Sequence, residues 1–326
     1  MPLRLQFDRD TATRIADHFE HSDPKTAADM WLGLCADNPY HRPSRERFGD
    51  LLYRIEQPAY PLGTEKRSRF ILRVMGNSFP TPLLTAAYFE NLDLLLARRP
   101  LRDAPGLLVL GIGPGRCGST TLAAALAALP ATCSTHENPA TIFWQPAVEQ
   151  LQFHFARFQR LRERFAIVAD CSHWWLNALD DVLAEFPEVK VLGLERDTAS
   201  CSRSFAKIKG TGPGTLNHWA APGNGIWAPS PGDPLYPTYA VPTRLLADPD
   251  AAKLALIERY VDEYNQGMRE AAARHPLRMR VLRTDDLNSA ETWQRISDFL
   301  GQSIARPPVA MNVGGTADSD KLELTF

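Results

Sequence analysis

The stretch LLVLGIGPGRCGSTTLAAALAALP, residues 107–130, decides the fold of this chain. An apolar run leads into a glycine-rich turn, and a segment with leucines at helical spacing follows until Pro130. This pattern predicts a strand, a turn and a helix. Glycines let the backbone approach an anion closely, and a helix start offers free N–H groups and a positive dipole end. The stretch therefore predicts a loop that binds an oxyanion.

Four more apolar runs lie further along the chain and alternate with helical patterns. They are ATCST (131–135), FAIVAD (165–170), VKVLGLE (189–195) and MRVLR (279–283). Short apolar runs without polar alternation are typical of parallel strands that helices cover on both faces. The sequence therefore predicts an α/β fold with a central parallel sheet of about five strands, flanked by helices, in a P-loop-like topology.

The pattern divides the chain into two regions. Residues 1–100 carry apolar residues at three and four spacing and predict a helical N-terminal region, whereas residues 101–326 form the predicted α/β domain. Within that domain, residues 209–242 are rich in glycine and proline and carry four aromatic residues, Trp219, Trp227, Tyr236 and Tyr239. A long irregular segment of this kind serves as a lid or binding surface, or packs its own aromatics on the core.

Charge and cysteine usage exclude several classes of protein. The 36 Lys and Arg nearly balance the 38 Asp and Glu without a long block of one sign, so neither nucleic acid nor a membrane surface is an expected partner. The five cysteines include no C-x-x-C pair, which favours the reducing cytoplasm. No apolar run reaches the roughly 18 residues of a membrane span. The sequence does not indicate an oligomeric state.

The glycine-rich turn differs from a kinase loop. Residues 113–119 approach the pattern G-x-x-x-x-G-K-[ST], but Ser119 directly follows Gly118, where that pattern requires lysine. The cation is instead Arg116, inside the turn. A kinase lysine reaches the outer phosphates of a triphosphate, so a cation within the turn suits a shorter donor.

R-C-G-S-T-T-L, residues 116–122, resembles the R-S-G-[ST]-T-x-L loop of the sulfotransferases that use 3'-phosphoadenosine 5'-phosphosulfate, and the chain resembles a bacterial-type soluble member. The resemblance implies that Arg116 contacts the bridging oxygen and the sulfuryl group. It also implies that backbone and hydroxyl groups of the next residues bind the 5'-phosphosulfate end, namely Cys117, Gly118, Ser119, Thr120 and Thr121.

A second match follows the fourth apolar run, where Arg196 comes directly after the strand and Ser204 lies eight residues further on. The family binds the donor's 3'-phosphate with an arginine and a serine at this spacing, so the resemblance gives that role to Arg196 and Ser204. The segment 281–301 resembles the family's last strand, turn and helix. The chain departs from the family's D-K-S-P segment, because Cys171 and His173 replace its lysine and proline.

The resemblance implies sulfuryl transfer to a hydroxyl or amine of a small molecule or carbohydrate, with adenosine 3',5'-bisphosphate as the product and no metal required. An attacking hydroxyl must lose its proton to a base. The family places its base after the second strand, and this chain offers His136 and Glu137 there. We place His136 first, because an unperturbed imidazole has a pKa of about 6.5 and a glutamate needs burial to approach that value. Glu137 would orient the imidazole or contact the acceptor.

Weaker candidates for the base are His154, His173 and His218. Two alternatives remain for the whole chain. The first is a nucleotide-dependent kinase or NTPase, in which Asp170 would end a Walker-B-like strand. The second is a non-catalytic binding protein with the sulfotransferase fold. The arginines at 157, 160, 162 and 164 predict a solvated helix face.

Overall fold

The five apolar runs form one parallel sheet in the computed structural model, which describes residues 9–37, 42–76, 80–138, 142, 148–209 and 249–304. The strands are β1 (Leu107–Ile112), β2 (Thr132–His136), β3 (Ile167–Cys171), β4 (Lys190–Glu195) and β5 (Met279–Arg283). The predicted α/β fold with its five-stranded parallel sheet is confirmed. Strands β1 to β4 are buried along most of their length, because helices cover both faces of the sheet, whereas the edge strand β5 is partly exposed.

The strand order is β2-β3-β1-β4-β5, so the first strand lies at the centre. The chain leaves β1 for the edge strand β2, returns to β3, and then crosses β1 to reach β4 on the other side. In open parallel sheets a crevice forms at the carboxyl ends of the strands where the order reverses. The segments that follow β1 and β4 therefore border the expected ligand site.

Helices surround the sheet and precede it. They are α1 (Arg9–Ser22), α2 (Pro24–Asp37), α3 (Arg42–Glu56), α4 (Glu65–Gly76), α5 (Pro82–Leu96), α6 (Ser119–Ala127), α7 (Val148–Arg162), α8 (Leu179–Glu185), α9 (Thr198–Lys209), α10 (Pro249–Arg274) and α11 (Ala290–Leu300). Short 3₁₀ helices span Gln57–Ala59, His173–Leu176 and Thr284–Asn288. The bounds of α11 follow from its sequence, since Ser289 caps its first turn and Gly301 ends it in a left-handed conformation.

Two hydrophobic cores lie on opposite faces of the sheet. Alternate residues of β1 point to each core, with Leu108 and Leu110 on one side and Val109 on the other. The core around Val109 is built with α6 and α11, while the larger core includes residues of α5, α7, α8 and α10. Burial of apolar surface on both faces holds the sheet rigid beneath the loops at its carboxyl edge.

The N-terminal helices belong to two cores. Side chains of α1, α2 and α3 form a cluster of their own around Trp31 and Phe48. Helices α4 and α5 instead contribute Phe70, Tyr88 and Leu92 to the larger core beside the sheet. The division of the chain at residue 100 stays a prediction.

Across the described ranges, no helix combines the length and the apolar character that crossing a membrane demands.

The entry to β1 leaves no room for a side chain at Gly106. A Cβ atom there would lie 1.9 Å from the Phe165 carbonyl oxygen and 2.8 Å from that of Ala166. These are backbone atoms of the segment that leads into β3, so we expect Gly106→Ala to lower the free energy of unfolding by about 2 kcal/mol or more. Urea denaturation followed by circular dichroism measures the change.

The matched control is Gly267→Ala in α10. There a Cβ would meet only the end of the Leu176 side chain, at 3.3 Å, and alanine is the better helix former. This variant should be as stable as the parent or more stable by up to about 1 kcal/mol. Equal losses in the two variants would contradict the steric argument.

Candidate active site

The phosphate loop, residues 113–118, joins β1 to α6 at the carboxyl edge of the sheet. Three of its residues have left-handed backbone angles: Gly115 (φ 86°), Arg116 (φ 53°) and Gly118 (φ 90°). Glycine adopts this conformation at little cost, whereas arginine does so only when its surroundings hold it there. The strained conformation of Arg116 therefore needs support from outside the loop.

That support comes from hydrogen bonds to four consecutive carbonyl oxygens of the loop, those of residues 114–117. Each donor side chain comes from a different part of the chain. The bonds run from Tyr260 Oη to Pro114 O (3.0 Å), from Cys201 Sγ to Gly115 O (3.2 Å), from Arg196 Nη1 to Arg116 O (2.6 Å) and from Thr284 Oγ1 to Cys117 O (2.7 Å). The C=O and N–H of a trans peptide point in opposite directions. The amides of residues 115–118 are therefore turned away from these four partners.

The thiol of Cys117 lies inside the loop rather than on its outer surface. The side chain is fully buried, and a Cβ on Gly113 would come within 2.3 Å of its sulfur. Burial raises the pKa of Cys117 to about 11, although hydrogen bonds from the backbone of Gly115 and Ser119 lower it in part. The thiol therefore stays neutral at physiological pH and adds no negative charge to a loop that would bind an anion.

Two arginines and a serine meet at the loop. Arg116 Nε donates to Ser204 Oγ at 3.2 Å, and the side chain of Arg196 reaches the backbone of Arg116. The sequence predicts that Arg116 contacts the sulfuryl end of the donor and that Arg196 and Ser204 contact its 3'-phosphate. In the structure these three side chains lie together in one cationic cluster. Helix α9, which carries Ser204, starts directly after the Arg196 segment.

His136 is the last residue of β2 and faces the start of α6. Its Nε2 lies 2.9 Å from Ser119 Oγ and 3.4 Å from Thr120 Oγ1. The residue is 8% exposed. The neighbouring Thr121 is buried in the first turn of the same helix. The structure thus brings His136 together with the hydroxyl groups that follow the phosphate loop.

Glu137 pairs with His173 instead of with His136. Its Oε1 lies 3.4 Å from His173 Nδ1, and the two side chains are 39% and 30% exposed. The Glu137 amide extends the sheet by donating to the Cys171 carbonyl at 3.0 Å, and the residue has a left-handed φ of 47°. A carboxylate–imidazole pair therefore lies at the carboxyl ends of β2 and β3, open to solvent.

Asp170, the residue of the NTPase alternative, has structural partners on both carboxylate oxygens. Thr135 Oγ1 donates to Oδ1 at 2.5 Å, while Ser172 Oγ and Trp175 Nε1 donate to Oδ2 at 2.8 and 2.6 Å. The residue is fully buried beneath the edge of the sheet. This arrangement fits a residue that braces β2 and β3, and it does not favour the role of a magnesium ligand.

The prediction of a solvated arginine face is wrong for two of the four arginines. Arg157 is fully buried, and its Nη2 donates to Thr135 Oγ1 at 3.1 Å. With its amide oxygen turned toward the guanidinium, Asn138 accepts from both Nη2 (2.9 Å) and Nη1 (3.0 Å). Arg162 is also buried and donates to the Gly106 carbonyl at 2.6 Å. Hydrogen bonds of this kind offset the cost of removing the charge from water.

The other predicted site elements have different outcomes. His154 is fully buried and packs edge-on against Trp175, with ring centroids 5.2 Å apart, which is the position of a core residue. His218 lies outside the described residues, as does the predicted loop 209–242 apart from its first residue. No cluster of three His, Cys, Asp or Glu side chains suited to a metal ion occurs in the part of the chain that the structure describes.

Sequence reasoning missed the side chains that hold the phosphate loop from α10 and from the segment after β5. Tyr260 and Tyr264 have the spacing of core residues on one helix face, so their pattern indicates burial but not a hydrogen bond. Thr284 lies in the segment that resembles the family's last strand, turn and helix. It bridges the carbonyls of Cys117 and Glu195, at 2.7 and 3.1 Å. Its position in this family-like segment was the one sign in the sequence that pointed to Thr284 as a residue of the site.

Comparison with known proteins identifies the family. No curated protein sequence matches the chain. Similar solved structures include the sulfotransferase domain of the Synechococcus olefin synthase, with 16% identity, coverage of 64% of this chain and 78% of that one, and a TM-score of 0.37. A sulfotransferase from Mycobacterium tuberculosis has 14% identity, coverage of 92% and 90%, and a TM-score of 0.38. The family model described as a sulfotransferase domain matches residues 108–312, well over half of the chain, and the protein therefore belongs to the sulfotransferase family.

Proposed function

We propose that the protein transfers a sulfuryl group from 3'-phosphoadenosine 5'-phosphosulfate to a hydroxyl or amine of a small molecule or carbohydrate. The observation that carries the proposal is the meeting of Arg116, Arg196 and Ser204 at the phosphate loop. Arg116 is 80 residues from Arg196 and 88 from Ser204 in the sequence, and each of the three matches a position at which the family binds this donor.

The residues of the phosphate loop fit a phosphate or sulfate group. Gly115 and Gly118 take left-handed angles, and a Cβ on Gly115 would come within 2.6 Å of the Phe205 ring. The start of α6 adds first-turn amides and the hydroxyl groups of Ser119 and Thr120. Two arginines supply positive charge at the same point, and the buried Cys117 thiol supplies no negative charge. The donor would bring the sulfuryl group and depart as adenosine 3',5'-bisphosphate.

Arg116 stabilises the negative charge that develops on the bridging oxygen and sulfuryl group, and the hydroxyl groups of Ser119 and Thr120 orient the same end of the donor. Arg196 and Ser204 bind the 3'-phosphate. A sulfate ester carries less charge than a phosphate ester, so fixed donors and one arginine suffice without a metal ion. His136 accepts the proton of the attacking group, because its ring lies beside the hydroxyl groups that orient the sulfuryl end.

The acceptor and its surroundings extend the proposal. Residues 209–242 would border the acceptor pocket, since a long segment rich in tryptophan and tyrosine can stack on an aromatic compound or a sugar. The Glu137–His173 pair lies open beside the site and would contact the acceptor. Cytoplasmic location stays a prediction from the sequence.

The first test of the donor is binding. We expect calorimetry to show that the protein binds adenosine 3',5'-bisphosphate far better than ATP or ADP. A charge-assisted hydrogen bond contributes about 1.5–3 kcal/mol, so Arg196→Ala should weaken the bisphosphate by about tenfold or more. Binding of adenosine 5'-monophosphate, which lacks the 3'-phosphate, should change much less.

The control is Arg203→Ala, which removes the same charge from an exposed position on α9. It should leave the affinities for both nucleotides nearly unchanged. A preference for ATP would overturn the proposed donor. An equal loss for both nucleotides in Arg196→Ala would mean that Arg196 acts through its bond to the Arg116 carbonyl and not on the 3'-phosphate.

The second test concerns the base. We compare His136→Asn, Glu137→Gln and His173→Asn in single-turnover sulfuryl transfer, with bisphosphate affinity measured separately. Removal of a general base lowers the rate by about 10²–10⁴-fold. We expect this loss in His136→Asn with donor affinity within a few-fold of the parent, and smaller losses in the other two.

If the Glu137–His173 pair supplies the base instead of His136, the single-turnover rates of the variants show a different pattern. If His136→Asn retains its rate while Glu137→Gln and His173→Asn both lose it, the base belongs to that pair. Since the two side chains contact each other, their double variant should then lose no more than either single variant.

A further inference from the structure

Helix α10 presents three buried side chains to the carboxyl edge of the sheet. Tyr260 and Tyr264 are one helical turn apart on the same face, with ring centroids 5.8 Å apart, and Asn265 follows directly. Each donates a hydrogen bond to a backbone carbonyl that follows a different strand. The acceptors are Pro114 O after β1 (3.0 Å), His173 O after β3 (2.5 Å) and Arg196 O after β4 (3.2 Å).

Each of these carbonyls lies next to a group of the proposed active site. Pro114 is part of the phosphate loop, His173 pairs with Glu137, and Arg196 belongs to the cationic cluster. These three segments leave the sheet at different strands, so no single strand fixes them relative to one another. Helix α10, which is 26 residues long, contacts all three and fixes their relative positions.

The hydroxyl groups of both tyrosines stay protonated over the working range of the protein. Burial raises the pKa of Tyr260 and of Tyr264 well above their usual range. For Tyr264, a hydrogen bond from the Gly113 amide lowers the pKa in part, so this hydroxyl contacts the phosphate loop as well as His173. The Phe205 ring of α9 packs edge-on against Tyr260 at 6.2 Å and supports it from the side of Gly115.

We propose that Tyr260 and Tyr264 are positioning residues. The Tyr260 hydroxyl holds the phosphate loop in the conformation that binds the donor, and the Tyr264 hydroxyl holds the turn that carries His173. The binding and transfer readouts of this inference rest on the proposed function, whereas its structural readout does not.

The test uses three isosteric variants of the full chain, Tyr260→Phe, Tyr264→Phe and Tyr88→Phe. The last is the matched control, because Tyr88 is also fully buried and its hydroxyl has no hydrogen-bond partner among the described residues. Hydrogen–deuterium exchange reports local opening without any ligand. We expect faster exchange in residues 113–121 for Tyr260→Phe and in residues 171–177 for Tyr264→Phe, with neither change in the control.

Function separates the two tyrosines further. Loss of one buried hydrogen bond weakens the state it supports by about five- to tenfold. Tyr260→Phe should therefore raise the Kd for adenosine 3',5'-bisphosphate by about five- to tenfold. Tyr264→Phe should slow single-turnover transfer by a similar factor of about five- to tenfold. Because its hydroxyl also contacts Gly113 at the start of the loop, this variant should raise the Kd too, but by less than Tyr260→Phe does.

The outcomes distinguish this inference from the proposed function. If the parent protein binds no bisphosphate, the proposed function is wrong, and the exchange comparison still decides the role of the helix. Exchange in all three variants equal to that of the parent overturns the inference even if the enzyme is active. So does a Tyr260→Phe variant whose loop exchanges faster but whose bisphosphate affinity is unchanged.

Discussion

Hydrogen bonding of the carbonyls of residues 114–117 is the constraint on which the site depends. A loop with three left-handed residues has no regular structure to hold it, and the glycines that permit its shape also permit many others. Four side chains, from the segment after β4, from α9, from α10 and from the segment after β5, select one conformation. The loop is local in sequence, yet its conformation is a property of the whole α/β domain, and any displacement of these elements alters the loop.

Much of the fold could be predicted because the interaction that dominates it, burial of apolar strands, is visible in short stretches of sequence. Parallel strands buried on both faces are continuous apolar runs, and the predicted limits of the central strand β1 coincide with the observed ones. The limits of the partly exposed edge strand β5 were also predicted correctly. The other strands differ by one or two residues at their ends. The phosphate loop was equally readable, since glycines, a cation and a helix start follow one another within a dozen residues.

What the sequence did not reveal depends on partners that are remote along the chain. Arg157 was expected on a solvated face because its helix carries several arginines. Its burial depends on Thr135 and Asn138, 22 and 19 residues earlier, and nothing in the local pattern indicates that they meet. The bond from Tyr260 to Pro114 spans 146 residues. A hydrophobic pattern shows which face of a helix is buried, but it does not show which backbone carbonyl a hydroxyl will find there.

The end of β2 shows why neighbours in sequence need not act together in a site. Successive residues of a strand point to opposite faces of the sheet, so His136 turns to the start of α6 while Thr135 turns to Arg157. Glu137 follows with one more bond to β3 and a left-handed turn, and its carboxylate comes to lie beside His173. Adjacency made Glu137 a natural partner for His136, but the alternation of the strand gives each a different neighbour. The site therefore has an inner imidazole next to the phosphate loop and an outer carboxylate–imidazole pair open to solvent.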